Sequence, residues 1–250
     1  MLKTCYSPIA QYTYTMYLSS HLLHYDLESP DPKQVPCNIM KIKAIPVGAF
    51  EVNCWIISNY NRDAIIIDPG ADAPLIEATI QKMRLNIKGY LLTHGHMDHL
   101  SALADVSTKY PAPIRIHPAD ATWAFSSANQ MPPYYPEPPP PPEGLLHPDL
   151  TESTGNQMAG FTFDVIETPG HSPGSVCLYF SQQATLFTGD TIVAGSTGRT
   201  DFPGGSASDL QQSLKRLLEL PPKTAICSGH GPASTLENEL QTNPFLQDTL

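Results

Sequence analysis

Thr93-His94-Gly95-His96-Met97-Asp98-His99 carries three imidazoles and a carboxylate in one short run, directly after the apolar Gly89-Tyr90-Leu91-Leu92. Histidine nitrogens and carboxylate oxygens together are the donor set that a borderline divalent ion such as zinc prefers. The run has little packing value, because adjacent imidazoles repel when protonated and fill space poorly when neutral. A metal site that performs chemistry is the expectation, placed at the end of a buried strand.

The surrounding chain supplies such strands. Lys41-Ile42-Lys43-Ala44-Ile45 alternates as a half-buried strand does, and Val52-Asn53-Cys54-Trp55-Ile56-Ile57 reads as another. Ala64-Ile65-Ile66-Ile67 is a β-branched run of the kind buried on both faces, and it stops at the turn Asp68-Pro69-Gly70. Helical spacing follows over Ala73 to Met83, a strand over Ile87 to Leu92, helical spacing again over His99 to Tyr110, and a short strand at Ile114-Arg115-Ile116. Further strands are predicted at Phe161 to Glu167, Ser175 to Phe180, Ala184 to Phe187 and Thr224 to Cys227, with an amphipathic helix over Asp209 to Leu220. The class is α/β.

Two segments break the pattern. Residues 1–39 mix Tyr, Ser, His and Pro without periodicity, and the expectation is a loosely attached extension or a segment upstream of a natural start at Met40. Residues 126–150 run through Met131-Pro132-Pro133-Tyr134-Tyr135-Pro136 into five consecutive prolines, Pro138 to Pro142. Proline fixes φ and lacks the N–H that helices and central strands need, so this insertion is expected to be extended, as a wall or lid of the site or as a surface excursion.

Composition bounds the function. The chain has 250 residues, ample for a buried core, with 41% hydrophobic and 15% charged residues and a net charge of −10. No basic tract stands out, so nucleic acid and anionic membrane surfaces are not expected partners. No apolar run reaches the roughly 18–20 residues that span a bilayer. The five cysteines, Cys5, Cys37, Cys54, Cys177 and Cys227, are scattered singly, which fits neither a disulfide framework nor a zinc ribbon. A reducing, cytoplasmic setting is the expectation, and no signal-peptide pattern is evident near the start. Nothing in the sequence sets the oligomeric state.

Three later pieces repeat the grammar of strand, then ligand-type residue, then Gly/Pro turn. They are Thr168-Pro169-Gly170-His171-Ser172-Pro173-Gly174, Phe187-Thr188-Gly189-Asp190 and Ser228-Gly229-His230-Gly231-Pro232. Each alone is an ordinary turn or helix cap. In series behind Thr93–His99, with Asp68 upstream, they resemble the metallo-β-lactamase fold superfamily over about residues 40–250. The resemblance implies a four-layer αββα sandwich with the metal site at one rim of its two sheets. It implies a first ion held by His94, His96 and His171, a second by Asp98, His99 and His230, and Asp190 bridging the two. Two divalent ions are implied, zinc by preference, with iron or manganese also compatible with a His/Asp set. Asp68 is expected either to stand behind the ligands and accept a proton from a ligand histidine or simply to form the turn before Pro69-Gly70.

Within the superfamily, Asp190 in place of Cys argues against true β-lactamases. Gly198-Arg199-Thr200-Asp201-Phe202-Pro203-Gly204-Gly205 and the ending Asn243-Pro244-Phe245-Leu246 are similar to the short, single-domain glyoxalase II-like (hydroxyacylglutathione hydrolase-like) hydrolases. That likeness implies a thioester substrate of the S-D-lactoylglutathione type, cleaved to D-lactate and glutathione. Two ions sharing a water lower its pKa toward about 7, and the resulting hydroxide attacks the thioester carbonyl. Asp98 is the catalytic candidate, as both ligand and orienter of that hydroxide. Arg199 either grips an anionic substrate or pairs with Asp201. The larger members hold glutathione partly with basic residues of a C-terminal helical domain, whereas no Lys or Arg follows Lys223 here. The alternative is a glutathione persulfide dioxygenase using one Fe(II) on His94, His171 and Asp190, since those enzymes share a Gly-Arg-Thr-Asp-Phe segment. Pro203-Gly204-Gly205 favours the hydrolases.

Overall fold

Alternation along the apolar strands sorts their side chains into separate layers, because successive residues of a strand face opposite ways. The computed structural model describes residues 17–19, 22–24 and 39–247. The chain divides into two units, residues 1–35 and residues 36–250. In the first, β1 (Tyr17–Ser19) and β2 (Leu22–His24) pair antiparallel. The expected extension over residues 1–39 otherwise lies outside the described residues.

The second unit holds two six-stranded sheets. The first comprises β3 (Lys41–Val47), β4 (Val52–Ser58), β5 (Asp63–Ile67), β6 (Asn86–Leu91), β7 (Ile114–Arg115) and β8 (Leu146–His147), side by side in chain order. The pairs β3/β4 and β4/β5 are antiparallel, and the rest are parallel. The second sheet comprises β9 (Ser153–Met158), β10 (Phe161–Glu167), β11 (Val176–Phe180), β12 (Thr185–Gly189), β13 (Ala225–Ser228) and β14 (Ser234–Thr235), also in chain order. It is antiparallel except for β12/β13. The helices are α1 (Ala73–Met83), α2 (Met97–Leu100), α3 (Leu103–Lys109), α4 (Pro118–Ala121), α5 (Ala207–Leu217), α6 (Leu236–Thr242) and α7 (Pro244–Gln247).

Three apolar clusters define four layers. Trp55, Ile57, Ile65 and Ile67 of the first sheet meet Phe163, Val165, Leu178 and Phe180 of the second, forming the core between the sheets. Their strand neighbours Cys54, Ile56, Ala64 and Ile66 face the other way, onto Ile76 and Ile80 of α1 and Leu103 and Val106 of α3. Cys177, Tyr179, Leu186 and Ile226 turn outward from the second sheet onto Leu210, Leu214 and Leu217 of α5 and Leu236 of α6. The result is an αββα sandwich, and burial of this apolar surface is the main term holding it together. Cys54, Cys177 and Cys227 are buried free thiols whose pKa values burial pushes up, so they act as small apolar groups.

Some expectations are corrected in detail. The helix predicted over His99 to Tyr110 is two, α2 and α3, because the chain steps at Ala102, whose N–H bonds Pro69 O at 3.1 Å. Helix α5 begins two residues early because Ser206 Oγ caps it, accepting from the Asp209 N–H at 3.3 Å. Strand β9, Ser-Thr-Gly-Asn-Gln-Met, has no apolar alternation and passed unread; it is the edge strand of its sheet. The insertion over 126–150 is largely irregular, as its prolines require, but its end adds β8 to the edge of the first sheet. Among the described residues no helix is long and apolar enough to cross a membrane.

Candidate metal centre

Every candidate ligand sits just beyond a strand end. Asp68 follows β5, His94 to His99 follow β6, His171 lies in the β10–β11 turn, Asp190 follows β12 and His230 follows β13. Backbone bonds bring these ends to one rim: across the sandwich, Val176 N–H to Thr93 O at 2.8 Å and Asn53 N–H to Gly229 O at 2.7 Å, and within the second sheet, Gly229 N–H to Gly189 O at 2.7 Å.

The side chains converge in three overlapping groups, each with its donor atoms within 4.8 Å of one another: His94, His96 and His171; His94, His99 and Asp190; and Asp98, His99 and His230. His96 Nδ1 lies 2.9 Å from His171 Nε2, and Asp98 Oδ2 lies 3.3 Å from His230 Nε2. The two oxygens of Asp190 face different histidines, Oδ1 at 3.4 Å from His99 Nε2 and Oδ2 at 3.5 Å from His171 Nε2. Two nitrogens on one tetrahedral ion with bonds of 2.0–2.1 Å would be about 3.4 Å apart, so these spacings suit donors that share ions.

The opposite edges of the rings fix their tautomers. His171 Nδ1–H donates to Arg199 O at 2.7 Å and His230 Nδ1–H to Phe50 O at 3.0 Å. His99 Nδ1–H donates to Asp68 Oδ2 at 3.0 Å. Thr93 Oγ1 gives its proton to Asp68 Oδ2 at 2.6 Å and so accepts from His94 Nδ1 at 3.1 Å. Each of these four rings thereby leaves Nε2 as its inward-facing atom, the one available to ligate. Among the described residues, His94 Nε2, His99 Nε2 and Asp190 Oδ1 are buried without a hydrogen-bond partner. Orphaned buried polar atoms are rare, and three in one cluster fit a cation.

Electrostatics agree. Burial and the neighbouring imidazoles hold His94 well below the ordinary histidine pKa, and burial with His171 lowers His96 to about 4, so both are neutral donors. Burial opposes a charged His99, but Asp190, Asp98 and Asp68 outweigh it and hold its pKa well above the ordinary value. Burial likewise raises Asp98 and Asp190, but the surrounding imidazoles win and both carboxyls stay below the usual range. The pocket is arranged around a positive charge.

Asp68 is buried and takes the left-handed conformation at φ 52°. That backbone costs a non-glycine residue about 1–2 kcal/mol, and it lets one carboxylate reach Thr93 N at 2.8 Å, Thr93 Oγ1 and His99 Nδ1. Both sequence readings of Asp68 therefore meet: it shapes the turn and stands behind the histidines. Arg199 makes the bond to Asp201 that the sequence suggested, with Nε and Nη2 each 2.6 Å from a carboxylate oxygen and the guanidinium stacked 4.3 Å from the Phe202 ring. His117 is structural, bonded to Glu167 at 3.1 Å and capping α4. His147 lies exposed on edge strand β8, and the side chains of His21 and His24 are outside the described residues.

A cleft of about 350 Å³ opens on the site, with Phe50, Met131, Val193 and Phe202 as its apolar walls and Arg199 beside them. Met131 belongs to the proline-rich insertion, and Tyr135 of the same segment is buried with its ring 5.2 Å from that of Phe50. Two buried residues near the ligands escaped the sequence reading, Asp120 and Asn129. Asp120 stands alone between Ala119 and Ala121 in a four-residue helix and Asn129 in an irregular run, so neither carried a local signal.

The comparisons with known proteins accord with this geometry. The family model described as the metallo-beta-lactamase superfamily matches residues 47–230. The hydroxyacylglutathione hydrolase GloC of Haemophilus influenzae is 34% identical over 217 residues, 83% of this chain and 98% of that protein. The solved structure of the BLEG-1 B3 metallo-beta-lactamase superposes with a TM-score of 0.75 at 35% identity, covering 82% of this chain and 99% of that one. The structure of TTHA1623 in a di-iron-bound form superposes at 0.71 with 36% identity, covering 81% and 98%. With the ligand-bearing strand ends, the αββα layering and the family match in agreement, this chain belongs to the metallo-β-lactamase superfamily.

Proposed function

We propose that the protein is a metal-dependent thioester hydrolase acting on substrates of the S-D-lactoylglutathione type. The observation that carries the metal-hydrolase part is the set of buried, partnerless donor atoms on His94, His99 and Asp190, with four histidines held in one ligating tautomer. The thioester part rests on the likeness to GloC and on a cleft with apolar walls and a cationic residue at its edge.

In this reading His94, His96 and His171 would hold one divalent ion and Asp98, His99 and His230 a second, with Asp190 available to both. Zinc suits the donors best, and a relative solved with two irons keeps iron in play. When bound, the ions supply a water of lowered pKa and polarise a carbonyl oxygen. The protein's part is placement. Asp98, whose Oδ2 lies 3.3 Å from His230 Nε2 as a fellow donor, would accept a hydrogen bond from the attacking water on its other oxygen and orient that water toward the carbonyl carbon. Asp68 and Thr93 keep His99 and His94 from rotating. The thiolate leaves without strong acid assistance. Phe50, Met131 and Phe202 exclude bulk water, and Arg199 meets the substrate carboxylate by exchanging it for Asp201.

The test is metal analysis followed by parallel assays on S-D-lactoylglutathione, glutathione persulfide with oxygen, and a β-lactam. Two ions per chain and thioester turnover are expected. One iron with oxygen uptake on the persulfide would move the protein to the dioxygenases. Ring opening of the β-lactam without thioester turnover would place it beside the solved lactamase.

A further inference from the structure

We infer that Asp120 is a positioning residue that locks the two loops carrying His94, His96 and His171 into one register. The inference rests on the metal-centre reading above and is independent of the substrate.

Asp120 is fully buried in α4, yet none of its side-chain bonds stays within that helix. Its Oδ2 accepts from the Gly95 N–H at 2.8 Å and from Ser172 Oγ at 2.6 Å, and its Oδ1 accepts from the Gly174 N–H at 2.7 Å. Gly95 lies between His94 and His96, and Ser172 follows His171 directly. One carboxylate thus spans the first sheet's ligand loop and the second sheet's. Charge-assisted bonds of this kind are shorter and about twice as strong as neutral ones.

The glycines give an independent observation. A β-carbon on Gly174 would stand 2.8 Å from Asp120 Oδ1, and one on Gly95 would stand 3.0 Å from Asp120 Cβ. Neither glycine takes a positive φ, so the left-handed conformation is not why they are glycines. The space beside them is filled by Asp120, and the backbone N–H groups come close enough to bond only because no side chain intervenes. Asn129 completes the clamp from the other side. Its Nδ2 donates to Gly95 O at 2.8 Å and its Oδ1 accepts from the Met97 N–H at 3.1 Å, so the Gly95 residue is held at both its N–H and its C=O. His96 Nδ1 and His171 Nε2 depend on this register, because they belong to different sheets and must meet at one ion.

The experiment compares wild type, Asp120→Asn and Ser172→Ala as demetallated chains titrated with Co²⁺, whose visible spectrum reports the donor set. Asp120→Asn keeps the shape but sets an amide N–H against the Gly95 N–H. The expected result is a native far-UV spectrum, a tenfold to hundredfold weaker uptake of one Co²⁺ and an altered absorption band, the other ion binding normally. Ser172→Ala, which removes one donor and leaves the carboxylate, should weaken the same ion severalfold. Wild-type affinity and spectrum in a folded Asp120→Asn would overturn the inference. If that variant fails to fold, unchanged Co²⁺ binding by Ser172→Ala would overturn it instead. Wild type that binds no metal would sink the metal-centre reading itself. Wild type that binds metal but hydrolyses no thioester would sink only the substrate.

Discussion

At the level of single residues the centre separates donors from the groups that aim them. His171 is a donor: its Nδ1–H is spent on Arg199 O, and its Nε2 faces both His96 and Asp190. His171→Ala should therefore abolish one bound ion and nearly all hydrolysis, with the ion count read by elemental analysis; full metal and activity in that variant would contradict the ligand set. Asp68 is an aimer, since it touches His99 and, through Thr93, His94. Asp68→Ala leaves all proposed ligands in place but frees two rings and strands the Thr93 N–H. Metal affinity should fall tenfold to hundredfold, measured by competition with a chromophoric chelator, and a variant with native affinity would reduce Asp68 to a turn-former. These residues differ in how far the sequence revealed them. His94 to His99 announce themselves by density, and His171, Asp190 and His230 by recurrence of one turn grammar. Asp120 announces nothing, because a lone aspartate in a short helix is common and its partners are 25 and more positions away.

Among the elements, legibility followed burial. Strand β5 is buried from Ala64 to Ile67 and β11 along its whole length, and they read plainly from Ile65-Ile66-Ile67 and Val176 to Phe180. Edge strand β9 pairs through its backbone, and its Ser-Thr-Gly-Asn-Gln run brings no apolar side chain before Met158, so no hydrophobic period marks it. The split between α2 and α3 was hidden for another reason: the apolar period runs through Ala102, and only the tertiary bond to Pro69 shows the step. The proline-rich insertion is the element whose role matters most for specificity. Its Met131 lines the cleft and its Tyr135 packs against Phe50, whose carbonyl also orients His230. Tyr135→Ala should loosen this wall while the ligands, held by other elements, keep their ions. The expected outcome is a several-fold rise in KM at unchanged metal stoichiometry, measured by steady-state kinetics beside elemental analysis. Unaltered KM would return the insertion to the status of a surface excursion.

For the molecule as a whole, the site lies at the rim where two sheets end, with three apolar clusters behind it. The layers fold the chain; they do not neutralise the rim. There the carboxylates of Asp68, Asp98 and Asp190 share a small volume with histidine nitrogens that have no partner. The chain as a whole is also acidic, at −10. Bound divalent ions satisfy those donors and bind the folded chain alone, since the ligands scatter along about 140 positions when it unfolds. Linkage then sets the size of the effect: a free ion at a thousand times its dissociation constant stabilises by about 4 kcal/mol. For a chain of this length each kcal/mol moves the melting temperature by about 2–4 °C. With two ions removed, exhaustive chelation should therefore lower Tm by about 15–30 °C in differential scanning calorimetry, and adding back Zn²⁺, Fe²⁺ or Mn²⁺ should restore it in the order of their affinities. Because the apolar layers do not contain the ions, the chelated chain should still melt cooperatively, with its far-UV spectrum intact. A Tm indifferent to both chelator and ion would mean that the converging side chains hold no cation, and the hydrolase reading would lose its foundation.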